Sequence, residues 1–498
     1  MSIKPVDTRH LLPQEPLIFE IGAPGRNGAS LPRCDVPERD PAVDWGQGLA
    51  RAQAPALPEV SEVEVTRHFT RLSRWNYAID IGMYPLGSCT MKYNPKVNEQ
   101  AARIPGFAAL HPYQPESTLQ GALALMHALE RALCEITGFS RATLQPAAGA
   151  HGELTGLMII RAAHADRGRH PTKVLIPDSA HGTNPASCTL NGFTTVTLPT
   201  GSRGVLDVDT VRKAVAATGD DTAAIMVTNP STLGLFEENI FAIAEIVHAA
   251  GGFVYMDGAN LNALLGKFRP GDAGVDVMHI NLHKTFTTPH GGGGPGSGPV
   301  AVVPVLEPFL PTPTVEKSGD VYRMSYDRPK TVGRVRSFYG NWGMHVRAYT
   351  YIREMGAEGL TRASEMAVLG ANYLRARLHE HYTTPFDRPC MHEVVVSDKR
   401  LKKETGVTTL DVAKRLIDYG FHPPTVYFPL IVPGALMIEP TETEAPETLD
   451  AFADAMLAIA EEARTDPEMV KTAPHSTGLR RLDETRAARQ LKLRWTRD

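Results

Sequence analysis

The sequence predicts an α/β fold with a large, mostly parallel sheet covered on both faces, followed by a smaller C-terminal α/β lobe. Short apolar runs at 173–176 (KVLI), 223–227 (AAIMV), 253–256 (FVYM), 277–280 (VMHI) and 300–303 (VAVV) have the length and composition of buried strands. Between two of them, Ile240, Ile243 and Val247 mark one face of a helix. After a long helical stretch at 342–383 the alternation resumes. It runs through strand-like MHEVVVS at 391–397, a helix near 409–419, a strand at 435–438 and a helix at 447–463.

Taken in order, residues 1–90 are rich in proline and arginine with little periodicity, and read as an extended arm. A helix is predicted to open near Ser117, with Ser117 and Gln120 as a capping box and Leu119, Ala122, Met126, Leu129, Leu133 and Ile136 along its apolar face. Gly138 supplies its stop. The strand-and-helix alternation assigns 91–335 to the large domain and 336–470 to the small one, leaving a basic extension at 471–498. Four prolines in PVLEPFLPTPTV, 304–315, interrupt the pattern between them.

Composition narrows the function. The 498 residues are 42% hydrophobic, enough for a large core, and carry a formal net charge of -4, which argues against a nucleic-acid partner. The five cysteines are scattered without metal-ligand spacing, so neither a disulfide framework nor a metal site is expected. The first residues lack the apolar core of a signal peptide, and no uncharged apolar run reaches the roughly 18 residues of a membrane span. A cytoplasmic protein with no membrane partner is expected.

In open α/β sheets ligands bind beyond the carboxyl ends of the strands. Here those ends carry PDSAHGTNP, TNPST, DGAN and NLHKTFTTPHGGGGPGSG, so polar and glycine-rich segments converge on one crevice. Lys284 lies in the last of them. A lysine after a strand is ordinarily a solvated charge, but a desolvated crevice with cationic neighbours favours the neutral amine that forms a Schiff base. Gly291 to Gly294 allow close backbone approach to a ligand, although such a run can also be a linker. Asp257 is either a turn former or a carboxylate that keeps a pyridinium nitrogen protonated, and that second role together with Lys284 fits pyridoxal phosphate. The turn Gln145 to Glu153 before an apolar helix suits a phosphate at a helix N-terminus, or merely starts the helix. His181 is either a loop histidine or a ring stacked on a flat cofactor.

With these residues assembled, the chain resembles the glycine cleavage system P-protein family, glycine dehydrogenase (decarboxylating), and within it the cofactor-carrying subunit 2 of the two-subunit form. YPLGSCTMKYNPK (84–96), DSAHGTNPAS (178–187), TNPSTLGLFE (228–237), MDGANLNAL (256–264), NLHKTFTTPHGGGGPG (281–296), RVRSFYGN (334–341) and MIEPTETE (437–444) carry the resemblance, from about Tyr84 to Glu444. It implies the aspartate aminotransferase-like fold, fold type I of pyridoxal enzymes. It also implies Lys284 as the lysine bound to the cofactor, Asp257 at the pyridine nitrogen and His181 over the ring. Gly149, Ala150, His151 and His283 then lie near the phosphate, and Thr228 and Asn260 complete the cofactor site. Two departures stand out. Ala147 and His151 replace two amides that are usual in the family's phosphate turn, and Thr287 stands where some relatives carry a cysteine.

The resemblance further implies decarboxylation of glycine, with the aminomethyl group passing to the lipoyl arm of H-protein. It also implies a second, different subunit 1 in a two-plus-two heterotetramer, because single-chain members join two related halves and this chain matches the half with the lysine. Two rival readings are another fold type I enzyme, such as an aminotransferase or amino-acid decarboxylase, and a silent scaffold subunit that has kept the fold.

Overall fold

The computed structural model describes residues 15–46, 48–53, 55–291 and 296–495. Its main sheet has seven strands: β1 (Arg141–Thr143), β2 (Lys173–Pro177), β3 (Thr194–Leu198), β4 (Thr222–Thr228), β5 (Phe253–Gly258), β6 (Val277–Ile280) and β7 (Val300–Val302). They lie in the order β1-β7-β6-β5-β4-β2-β3. β2 to β6 pair in parallel, and β7 alone runs antiparallel to both of its neighbours. β4 and β5 are buried at every position, which is why their sequences are unbroken apolar runs rather than alternating ones. β1 and β3 escape that reading. One is only three residues long, and the other is a threonine-rich edge strand with exposed positions.

The helix Gly149–Asp166 follows β1 and sets the position of the site. Gly152 and Gly156 form a flat strip on one of its faces. A Cβ on Gly156 would stand 2.4 Å from the Tyr255 ring, and one on Gly152 would stand 2.7 Å from His279 Cβ. The missing side chains let the helix lie directly on β5 and β6, carrying its N-terminus to the carboxyl ends of those strands.

Three expectations need correction. The helix at 120–137 has no capping box: Ser117 sits in a 3-10 turn, Glu116–Thr118, and the cap position is Leu119, with no side-chain bond. Gln120 instead bonds across to the backbone of Tyr322, in the hairpin β8 (Thr314–Ser318) and β9 (Val321–Ser325), which the sequence reading did not anticipate. The long helix Trp342–Leu378 is two helices meeting at Gly356, whose φ of 61° and ψ of -175° break the hydrogen-bond ladder. In the arm, Glu62–Ser73 is a helix with a complete Ser61–Glu64 capping box. Gly138 does end its helix in the left-handed conformation, φ 80°.

The C-terminal lobe is a three-stranded antiparallel sheet, β10 (Val394–Ser397), β12 (Ala435–Ile438) and β11 (Thr425–Val426), in that order. The helices Thr409–Asp418 and Pro446–Thr465 and the second half of the kinked helix cover it, around Leu374, Leu416, Phe452 and Met456. Chain from the N-terminal side crosses to this lobe. Leu86 bridges Ile438, and Glu439 N donates to Pro85 O at 3.2 Å, so residues 85–90 run beside β12 toward the crevice. Among the described residues no helix is long and apolar enough to cross a membrane.

Candidate active site

Asp257 and His279 are register partners on β5 and β6, so their side chains leave the same face of the sheet side by side. His279 Nε2 is 3.1 Å from Asp257 Oδ1, and Tyr255 Oη is 2.9 Å from His279 Nδ1. Asp257 also accepts from Asn184 Nδ2 at 3.1 Å and from the Ala259 N–H at 2.9 Å. Burial alone would raise the carboxyl, but the charge and hydrogen bond of His279, with the two other donors, hold it well below the usual carboxylate range. His279 responds in the opposite sense: burial lowers it, and Asp257 more than compensates, so it is raised.

Lys284 sits in the short helix Leu282–Thr285 directly after β6. It is half-buried, and its Nζ has no hydrogen bond or ion pair with the described residues. The histidines beside it are neutral. Burial, His290 and Lys284 push His283 down to about 3, and burial and Lys284 push His290 down to about 4. Gly291 is left-handed, φ 84°, and the rest of that glycine run, Gly292 to Gly294, lies outside the described residues. At Gly296 the backbone passes so close to His283 that a Cβ would lie 2.2 Å from its Cβ.

On the opposite wall, the helix Gly149–Asp166 presents an N-terminus with no side-chain cap. A Cβ on Gly149 would stand 2.8 Å from Asn281 Oδ1, so only glycine leaves this turn open. His181 is exposed, with Nδ1 2.8 Å from Thr183 Oγ1 and its ring edge-on to Phe428 at 5.7 Å.

Lys284, Asp257, His181, His283, Thr228, Asn260, Gly149 and Ala150 all line one cavity of about 190 Å³. His151 does not line it; its Nδ1 accepts from the Ala147 N–H at 3.1 Å, and its ring lies near Val335 and Arg336. Ser88, Glu153, Thr232 and His279, which the sequence analysis does not single out, also line the cavity, with Thr183, Ala259 and Asn281. A signal existed for His279: it is the one polar residue inside the run VMHI. Glu153 is buried and accepts from Thr183 Oγ1 and Ser187 Oγ, fixing the start of the helix Thr183–Leu190 beside Asp257.

Thr228 Oγ1, Asn260 Oδ1 and Asn281 Oδ1 are buried around this cavity without a hydrogen-bond partner among the described residues. With them stand an ionised carboxylate, an unbonded lysine amine and a free helix N-terminus. Such a set suits a polar ligand bearing a cationic nitrogen, a carbonyl and an anionic group.

This arrangement defines a class, the fold type I α/β enzymes. A crystal structure of glycine decarboxylase (P-protein) of the glycine cleavage system, in inhibitor-bound form, shares the fold with a TM-score of 0.69 at 22% identity, over 83% of this chain and 92% of that one. An Oryza sativa protein, TDC with PLP and tryptamine, shares it with a TM-score of 0.63 at 15% identity, over 86% and 92%. Residues 47–323 match the family model Glycine cleavage system P-protein, and residues 363–476 match Glycine dehydrogenase, C-terminal domain. Probable glycine dehydrogenase (decarboxylating) subunit 2 of Listeria monocytogenes is 59% identical over 97% of this chain and 98% of its own length. The protein of the same description from Caldanaerobacter subterraneus is 58% identical over 97% and 99%. The chain belongs to the glycine cleavage system P-protein family.

Proposed function

We propose that this chain is the subunit of a glycine dehydrogenase (decarboxylating) that carries pyridoxal phosphate on Lys284. In this reading it releases CO2 from glycine and passes the aminomethyl group to the lipoyl arm of H-protein. The observation that carries the reading is the pairing, in one cavity, of a Lys284 amine with no bonding partner among the described residues and an Asp257 carboxylate held ionised by His279. The residues fit the cofactor. Lys284 would supply the amine for its aldehyde, Asp257 the anion for its ring nitrogen, and the Gly149 turn N–H groups with His283 the donors for its phosphate. His181, Thr228 and Asn260, which line the same cavity, would help hold the ring. When bound, the cofactor supplies an electron sink for the pair left behind as CO2 departs.

The protein's own part is orientation and electrostatics. His279 keeps Asp257 negative, so a cationic ring nitrogen is favoured opposite it. The neutral state of His283 and His290 leaves Lys284 as the main positive charge on that side of the cavity. Glycine is the substrate and a second, different subunit the partner, and a two-plus-two assembly is the form proposed here. A general aminotransferase or amino-acid decarboxylase would use the same lysine and aspartate, and a substrate panel separates it from this reading. A silent scaffold has no need of either residue, and both are present. The decisive test is exchange of labelled CO2 with the glycine carboxyl, using purified chain, partner subunit and lipoylated H-protein. Glycine-dependent exchange is expected, and exchange with alanine or aromatic amino acids but not glycine would overturn the reading.

A further inference from the structure

We propose that Glu393 and Glu439 share one proton in the resting protein and accept a second from the Lys284 ammonium when that lysine forms its covalent bond to the cofactor. The inference rests on the reading of Lys284 given above and extends it to residues outside the cavity walls.

Glu393 precedes β10 and Glu439 follows β12, and the register of these antiparallel strands, Val394 opposite Ile438, sets the two glutamates opposite each other. A carboxylate oxygen from each and a nitrogen of the adjacent His392 lie within 4.8 Å of one another. All three residues have 0% exposure. Glu439 accepts from Thr90 N at 2.9 Å and Thr90 Oγ1 at 2.6 Å, and Glu393 Oε2 accepts from Ser88 N at 2.8 Å. Glu393 Oε1 and both His392 nitrogens have no hydrogen-bond partner among the described residues. The anchored loop is held against its preference, since Ser88 and Thr90 both have positive φ, 65° and 49°. Ser88 also lines the Lys284 cavity, so the cluster stands directly behind that wall.

Two carboxylates this close and this deeply buried do not both ionise. Burial and the neighbouring Glu439 hold Glu393 well above the carboxylate range, and burial pushes Glu439 up to about 7. His392 Nε2 lies 3.7 Å from Glu439 Oε1, but burial and the Lys284 charge press the imidazole toward its neutral form, down to about 3. Cys89 stays a thiol, raised by burial to about 11, and Lys92 is engaged by Glu442 at 2.6 Å. The remaining cation is Lys284, whose charge acts on both carboxyls. The resting cluster therefore balances one negative charge on the pair against the ammonium.

Lys284 must shed a proton to become a nucleophile. Loss to bulk water would leave the buried negative charge without its counter-charge, whereas transfer to the pair leaves lysine and carboxyls all neutral. One N–H bond breaks with its electron pair staying on nitrogen, and one O–H bond forms on the pair, with no other reactant.

The test is difference infrared spectroscopy of the full apoprotein on adding pyridoxal phosphate, with borohydride reduction and peptide mapping of the same samples. A protonated-carboxyl band is expected to grow in proportion to label on Lys284, and to vanish in Glu393→Gln and Glu439→Gln variants that still take the label. Label on Lys284 with no new carboxyl band overturns this proposal alone; label on another lysine overturns the reading beneath it. If neither variant folds, the wild-type spectrum still decides. Zn²⁺ binding by the apoprotein that Glu393→Gln abolishes would make the cluster a metal site and sink the proposal.

Discussion

His279 and Asp257 are joined at 3.1 Å by being Cα partners on adjacent parallel strands, so the strand register itself fixes the ion pair beneath the cavity. The pair depends on no loop. Removing the carboxylate with Asp257→Ala should leave the fold intact by circular dichroism, because the sheet hydrogen bonds do not involve that side chain. Exchange of CO2 with the glycine carboxyl should fall roughly 100-fold or more, the scale of other electrostatic deletions at active sites. Near-normal exchange in this variant would refute its role at the ring nitrogen.

The same pair makes stability depend on pH, and the two partners set opposite limits. Asp257 is lowered on folding, so its contribution is present above its ordinary value of 3.8 and is lost as pH falls through the folded value. His279 is raised, so its contribution is complete below 6.5 and is lost as pH rises through the folded value. Both contributions are present between those limits. Urea unfolding of the cofactor-free chain should show the widest stability gap between wild type and His279→Gln near about pH 5, narrowing by about pH 9. An equal gap at both pH values would mean that the pair is not charged.

Gly149→Ala tests the opposite wall. The new methyl would stand 2.8 Å from Asn281 Oδ1 and 2.9 Å from its Nδ2, so that side chain must move. The Kd for pyridoxal phosphate, read by titrating the apoprotein, should rise about tenfold, or about 1.4 kcal/mol. Unfolding temperature should change little, since the strained contact is a side chain at the cavity edge. Unchanged affinity would remove the Gly149 turn from the phosphate site.

The large sheet was legible because β2, β4, β5, β6 and β7 are buried runs whose composition reflects two covered faces. Lys284 and Asp257 were legible because polar residues at strand ends stand out against those runs. His279 was harder: it lies within a strand, and only the register with β5 reveals that it faces Asp257. Ser88, Glu393 and Glu439 were out of reach, since contacts between residues more than 300 positions apart leave no local periodicity to read. His151, next to Ala150 in the same turn, is not among the residues lining the cavity, and its ring lies near Arg336.

Full activity should require a second, different subunit, and the N-terminal region supplies the physical reason. Leu31 is 87% exposed, Val43 77%, Leu49 74% and Trp45 63%, so this stretch presents large apolar side chains that no described residue covers. The helix Glu62–Ser73 that follows buries only His68. A chain that exposes so much apolar surface along one continuous stretch is built to cover something, or to be covered. Gel filtration should show the purified chain forming a larger, stable complex when the partner subunit is added. Substituting Leu31, Val43 and Trp45 together with serine should weaken that complex at least tenfold, on the order of 1.4 kcal/mol, while leaving the unfolding temperature of the lone chain unchanged. Glycine-dependent CO2 release with lipoylated H-protein should be low for the lone chain and rise when the partner is added. The serine variant should then need more partner to reach the same rate. Full activity from the lone chain would show that the exposed stretch serves some purpose other than assembly with a second subunit.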